Sequence, residues 1–158
     1  MPVELASFLN RPVHLSSYHV AALSPRMAIF AQAPERTGPR MNDSSKDLVV
    51  WQRAIQTSLA IYKLTSSFPA SERFGLTSQL RRASVSVASN IAEGYGKSSK
   101  GEYLSFLGHA RSSNGEIQTQ LIISQGLGFG SQELLRQAES LSNEVGRMLV
   151  VMMNKLKR

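Results

Sequence analysis

The stretch Phe68–Gly96, FPASERFGLTSQLRRASVSVASNIAEGYG, carries two spacings at once. Leu76, Leu80, Ala83, Val87 and Ile91 recur at steps of three and four residues, which places them on one face of an α-helix. Such a face needs a core to cover it. Displaced by one residue, and so turned by roughly 100° about the axis, run Gln79, Arg82, Ser86, Asn90 and Glu93, a line without an apolar member. The pattern predicts a helix that opens at Pro69, where a missing N–H is harmless, and ends at Glu93, with Gly94 in the left-handed position just beyond. A carboxylate there faces the negative end of the helix dipole, a conflict of about 0.3–1 kcal/mol unless a cation answers it. A local conflict of this kind marks a site, an interface or an ordinary solvated charge.

Working outward, the same periodicity predicts three more helices. Upstream, Asn42, Asp43 and Ser44 offer capping side chains, and Leu48, Trp51, Ile55, Leu59 and Tyr62 predict a helix over 45–66, with Trp51 as a core anchor. Downstream, Ser99 and Glu102 have the spacing of a capping box, in which each side chain satisfies a free backbone N–H of the next helix. That helix, over 100–124, has an apolar stripe of Tyr103, Phe106, Leu107, Ala110, Ile117 and Leu121. It also has a line of small residues, Gly101, Ser105, Gly108, Ser112, Gly115 and Thr119. Interior glycines cost about 1 kcal/mol each relative to alanine. The line therefore predicts close approach by another helix, of this chain or of a neighbouring subunit, or else a weak, bent helix. Gly126–Gly130 reads as a flexible turn. After Ser131, Leu134, Ala138, Leu141, Val145, Met148 and Met152 form a coiled-coil-like seam in which the methionines are core filler. Four amphipathic helices with short links and no strand pattern predict an all-α, antiparallel up-down four-helix bundle over 41–158.

Two glycine strings invite a nucleotide-binding reading and fail it. Gly96-Lys97-Ser98 lacks the earlier P-loop glycine, Ile91 standing in its place, and both this string and Gly126-Leu127-Gly128-Phe129-Gly130 follow helices where the phosphate-binding motifs follow strands.

Residues 1–40 differ from the rest, holding five of the six prolines and no helical period. They read as a disordered tail or as a mis-called extension upstream of a natural start at Met41; the few acids and several Arg and Ser also suit a transit peptide. Length and composition fit one globular domain. The 158 residues include no cysteine, which removes disulfides and thiolate chemistry. No apolar run is long enough to span a membrane, so a cytoplasmic location is expected. The formal charge of +7 favours an acidic partner. From Met41 onward there are 14 basic and nine acidic residues, so the predicted bundle itself keeps a net +5.

The linear motifs Leu48-x-x-Trp51, Phe68-Pro69-x-x-Glu72-x-x-Gly75-Leu76-x-x-Gln79-Leu80-x-Arg82-Ala83 and Ser86-x-x-x-Asn90-Ile91-Ala92-Glu93-Gly94 resemble the four-helix bundle proteins of the 23S rRNA-intervening-sequence family. The likeness runs from about Asp47 to Leu156. It departs at Ser112, where the family usually has glycine; serine keeps the position small. The resemblance implies a ring-like homopentamer encoded in bacterial genomes, with no enzymatic activity and no cofactor. The chain is also similar to the basic accessory protein of diversity-generating retroelements, which implies nucleic acid and a reverse transcriptase as partners.

Two functional expectations follow. The first is a non-catalytic oligomer that associates with RNA or DNA, with Arg81, Arg82, Lys97, Lys100, Arg111, Arg147, Lys155, Lys157 and Arg158 contacting phosphates. Sparse aromatics and the lack of a base-reading motif point to backbone contacts. The second is a protein-interaction scaffold whose subunit contacts are Gln79, Arg82, Ser86, Asn90 and Glu93 with Gly101, Gly108, Ser112 and Gly115. An enzyme is disfavoured: His109 is the one histidine of the predicted bundle, and no Glu-x-x-His pair, metal cluster or nucleophile-base set accompanies it.

Overall fold

In a computed structural model of the protein, residues 44–158 are described. The leader over 1–40 and the capping side chains of Asn42 and Asp43 lie outside the described residues. Ser44 accepts from the Lys46 backbone N–H and starts a short 3-10 turn, Ser45–Asp47. Four α-helices follow: α1 (Val49–Thr65), α2 (Leu76–Tyr95), α3 (Lys100–Gly126) and α4 (Gln132–Lys157). No strand occurs among the described residues.

Each helix packs on the next, and α4 closes on α1, while the backbones of the diagonal pairs stay apart. The contacts show the directions. Ser58 bonds the Ser84 carbonyl and Arg81 bonds Thr65, so α1 and α2 run opposite ways. Between α3 and α4, Asn114 meets Ser142 while Leu121 and Gln125 share a small cavity with Leu135. At the α1–α4 pair Arg53 meets Glu144, whereas Leu48 lines a groove with Met152. The result is the antiparallel up-down bundle that the periodicity predicts.

The apolar line of α2 lands in the core, with Leu80, Ala83, Val87 and Ile91 buried and Leu76 packed at its edge. In α3 the buried residues include Leu107, Ala110, Ile117 and Leu121, again as expected. The lines of α1 and α4 are rotated from the expected ones. In α1 the buried set is Val50, Ala54, Gln56, Thr57, Ala60, Ile61, Leu64 and Thr65, and Leu59 and Tyr62 are exposed at 38% and 46%. The α4 line runs Leu135, Ala138, Ser142, Val145, Leu149, with Leu134, Leu141, Met148 and Met152 at its flank. The cause is the same in both helices: small residues at the centre allow close helix approach, and the bulky ones beside them, Trp51 and Ile55 included, close the seam from the side.

The ends of α2 also depart from expectation. A 3-10 turn, Ala70–Arg73, follows Pro69, and α2 starts only at Leu76, whose N–H donates to the Glu72 carboxylate at 2.9 Å. A Cβ on Gly75 would collide with that carboxylate, which explains Glu72-x-x-Gly75-Leu76 as one capping device. Gly94 lies inside the helix, and positive φ among the described residues belongs to Gly128 and Gly130 alone. Its missing side chain serves packing instead: a Cβ there would stand 2.7 Å from the Phe106 Cβ and 3.0 Å from Tyr103 Cδ2. The capping box at α3 forms in half. Ser99 Oγ accepts from the Glu102 N–H, but the Glu102 carboxylate takes the Ser99 hydroxyl, not its backbone N–H.

The turn after α3 is a docked cap. Gly128 N–H donates to Gln125 O and Phe129 N–H to Ser124 O, the paired bonds of a Schellman ending, with Gly128 at φ 71°. Phe129 stacks on buried Phe68 at 5.7 Å, and Gly130 fits where a Cβ would strike Leu64. The two hairpin loops thus lock together at one pole of the bundle. At the other pole lie Leu48, the α2–α3 link and the end of α4.

Candidate nucleic-acid interface

The polar line of α2 follows its flank toward α3. Ser86 and Ser113 hydroxyls share a hydrogen bond of 2.9 Å across the pair, and Asn90 Nδ2 donates to Ser86 O and Oγ. Arg82 donates to Gln79. Glu93 pairs with Lys97 at 3.4 Å, so a cation one turn on answers the carboxylate at the negative end of the helix. Each member therefore has a partner within its own chain.

The small-residue line of α3 behaves differently. Nothing lies within 4 Å of a Cβ built at Gly101, Gly108 or Gly115. Among the described residues no helix covers the glycines of that line, so α1, α2 and α4 do not make the close approach. Ser112 is exposed beside it.

The expected phosphate contacts fall in separate places. Arg81 is held at the α1–α2 seam, its Nε on Thr65 Oγ1 and its guanidinium 4.7 Å above the Tyr62 ring. Lys97 lies over Phe106 as well as beside Glu93. Lys100, Arg82, Lys155, Lys157 and Arg158 are exposed. Arg111 of α3 and Arg147 of α4 come together. They line one open groove of ≈ 690 Å³ with Gly115, Gln118, Asn143, Gly146 and the exposed Val150 and Val151. Among the described residues the ion pairs are Arg53–Glu144 and Lys97–Glu93, so neither groove arginine has a carboxylate partner.

The floor of the groove is a polar seam. Gln118 Nε2 donates to Asn143 Oδ1 at 2.9 Å. One turn deeper, Asn114 Nδ2 donates to Ser142 O, and the Ser142 hydroxyl returns a bond to Asn114 Oδ1. Both residues are buried. Gly146 leaves the room this needs, since a Cβ there would approach Asn114 Nδ2 to 3.1 Å. The periodicity reading missed this seam. Its trace is a polar residue at the middle of each buried line, Asn114 between Ala110 and Ile117, and Ser142 between Ala138 and Val145.

Nothing among the described residues suits metal binding, because no group of three His, Asp or Glu side chains gathers there. His109 is exposed against the edge of Phe106. Tyr103, edge-on to Tyr95, has its phenol pushed above the usual tyrosine range by burial and then by the neighbouring Tyr95. No described helix is long and apolar enough to cross a membrane.

The fold and surface define a small all-α bundle with an open groove between its last two helices, lined by Arg111 and Arg147 among others. Its sequence matches the family described as 23S rRNA-intervening sequence protein over residues 46–151, and the chain belongs to that family. No curated protein matches it. Among solved structures it is similar to a protein of unknown function from the S23 ribosomal protein family of Bacteroides thetaiotaomicron VPI-5482. The TM-score is 0.62 at 19% identity, over 66% of this chain and 98% of that one, which shows a shared fold.

Proposed function

We propose that the protein is a non-catalytic, homo-oligomeric bundle of the cytoplasm that associates with RNA or DNA through the sugar-phosphate backbone. The observation that supports this most is the Arg111–Arg147 groove. Two guanidiniums share one concave surface without a neutralising carboxylate, on a chain with formal charge +7. Bringing like charges together is unfavourable, and a phosphate backbone relieves it by releasing its own counterions. Oligonucleotide binding measured across a salt series tests the reading. Replacing both arginines by alanine should flatten the log K against log salt plot by about 1.4 for a single strand, at roughly 0.7 per phosphate contact. Binding that is insensitive to salt, or unchanged in the double variant, refutes it.

Assembly is the second part of the proposal. Gly101, Gly108 and Gly115 lower the helix propensity of α3 and have no close neighbour among the described residues. A neighbouring subunit packed along that line, as in a pentamer, supplies the missing contact, and the Gln79–Glu93 flank of α2 lies beside it. Sedimentation of Asn90→Ala, Glu93→Ala and Gly108→Leu variants tests this. Unchanged assembly in all three removes these surfaces from the interface. Loss of assembly with RNA and DNA binding intact favours a protein-interaction scaffold instead.

A further inference from the structure

The groove carries more than charge. Gln118 and Asn143 sit half-buried in the groove that the two arginines line, further along it from both, and bond to one another once. That bond leaves Gln118 Oε1 as an acceptor and the Asn143 amide hydrogens as donors, with no other partner among the described residues. The result does not depend on how either amide is turned: a single amide–amide bond always leaves one carbonyl and one NH2 group free. The groove thus presents two cationic forks and, further along its length, a neutral donor and a neutral acceptor.

A phosphate oxygen only accepts, and so do the ether oxygens of deoxyribose. DNA laid in this groove can satisfy both arginines and the free NH2 group, but its sugar offers nothing to the amide carbonyl. A ribose 2′-hydroxyl both donates and accepts, and it recurs in every nucleotide whatever the base. It matches the free pair: it donates to the carbonyl and accepts from the NH2 group while the flanking phosphate meets Arg111 or Arg147. We infer that the α3–α4 groove is a ribose-phosphate site that selects RNA over DNA through the Gln118–Asn143 amide pair. This rests on the nucleic-acid reading above and names which nucleic acid the site takes.

The test uses the full chain and three labelled single strands of one sequence: RNA, DNA and 2′-O-methyl RNA. Fluorescence anisotropy at fixed low salt should show RNA bound roughly two- to tenfold more tightly than either of the others, the range of one neutral hydrogen bond. The methylated strand keeps the ribose geometry and removes only the donor. In Gln118→Met, confirmed folded by its circular dichroism melt, the RNA advantage should vanish and DNA affinity should hold. In the Arg111→Ala/Arg147→Ala variant all three strands should weaken together. Equal binding of all three strands to the native chain, with arginine dependence retained, overturns the RNA inference and leaves the wider reading standing. Failure to bind any strand, or binding indifferent to the arginines, overturns both.

Discussion

Replacing Gly94 by alanine sets two effects against each other, and the structure decides between them. Alanine is favoured over glycine within a helix by about 1 kcal/mol, and Gly94 is within α2. On that ground alone the variant would be more stable. The new Cβ, however, would stand 2.7 Å from the Phe106 Cβ, and a Cβ is fixed by its backbone and cannot swing aside. Carbon atoms pack at about 3.5–4.0 Å, so α2 and α3 must separate locally by roughly 1 Å. This happens where the bundle has its most extensive helix pairing and where Tyr103 is also within 3.0 Å. Overpacking of this kind costs about 1–3 kcal/mol, and a rigid contact between two helices belongs at the upper end. The net expectation is a loss of about 1–2 kcal/mol after the propensity gain. Urea denaturation followed by circular dichroism reads it as a lower midpoint at unchanged slope. Gly108→Ala, with open space around its Cβ, is the control and should gain up to about 1 kcal/mol in a monomer. A Gly94→Ala protein as stable as the native one would refute the packing argument.

Other expectations concern the caps, the buried polar pair and pH. Glu72→Ala removes the acceptor for the Leu76 N–H and should lower stability by about 0.5–2 kcal/mol in the same urea experiment. Asn114→Ala strands the buried Ser142 hydroxyl and should cost about 1–3 kcal/mol. The Asn114→Ala/Ser142→Ala double variant should cost less than the two singles together, and strict additivity would deny the coupling. The Tyr103 phenol is held above the usual range of about 10, so the unfolded chain releases this proton before the folded one. Its contribution is intact below that range and is lost as pH rises through the folded value. Ultraviolet titration of Tyr103→Phe against the native protein should show a tyrosine that titrates above the usual range gone, with the alkaline loss of stability reduced.

The bundle was legible because helical period is a property of the sequence itself. Four stripes, short links and the Ser99–Glu102 capping pattern announce four helices before any contact is known. What periodicity leaves open is rotation about each axis. α1 and α4 carry apolar residues on adjoining faces, and the centre of the seam fell on the smaller ones, Ala54, Thr57, Ala138 and Ser142, because small residues let backbones approach. Glycine was the least legible residue. Gly94 resembled a helix terminator and proved to be a contact, while Gly128 and Gly130, read as a loose turn, hold the positive φ angles that fasten Phe129 to Phe68. For the groove, the basic candidates could be named from charge, but the convergence of Arg111 and Arg147 from two helices depended on the α3–α4 register. The amide pair in the same groove gave no signal stronger than two polar residues on helix flanks.

The short link Gly96–Ser99 is the sole covalent tie between the α1–α2 hairpin and the α3–α4 hairpin. The two hairpins share the α2–α3 and α1–α4 seams, and the loops at their tips clasp through Phe68 and Phe129. If the link straightened into continuous helix, the halves would part while each kept its own surface complementary to the other. Two such opened chains could then trade hairpins and rebuild both bundles reciprocally. Gly94 opposes that parting, since it lets Phe106 and Tyr103 pack closely on α2 directly beside the link.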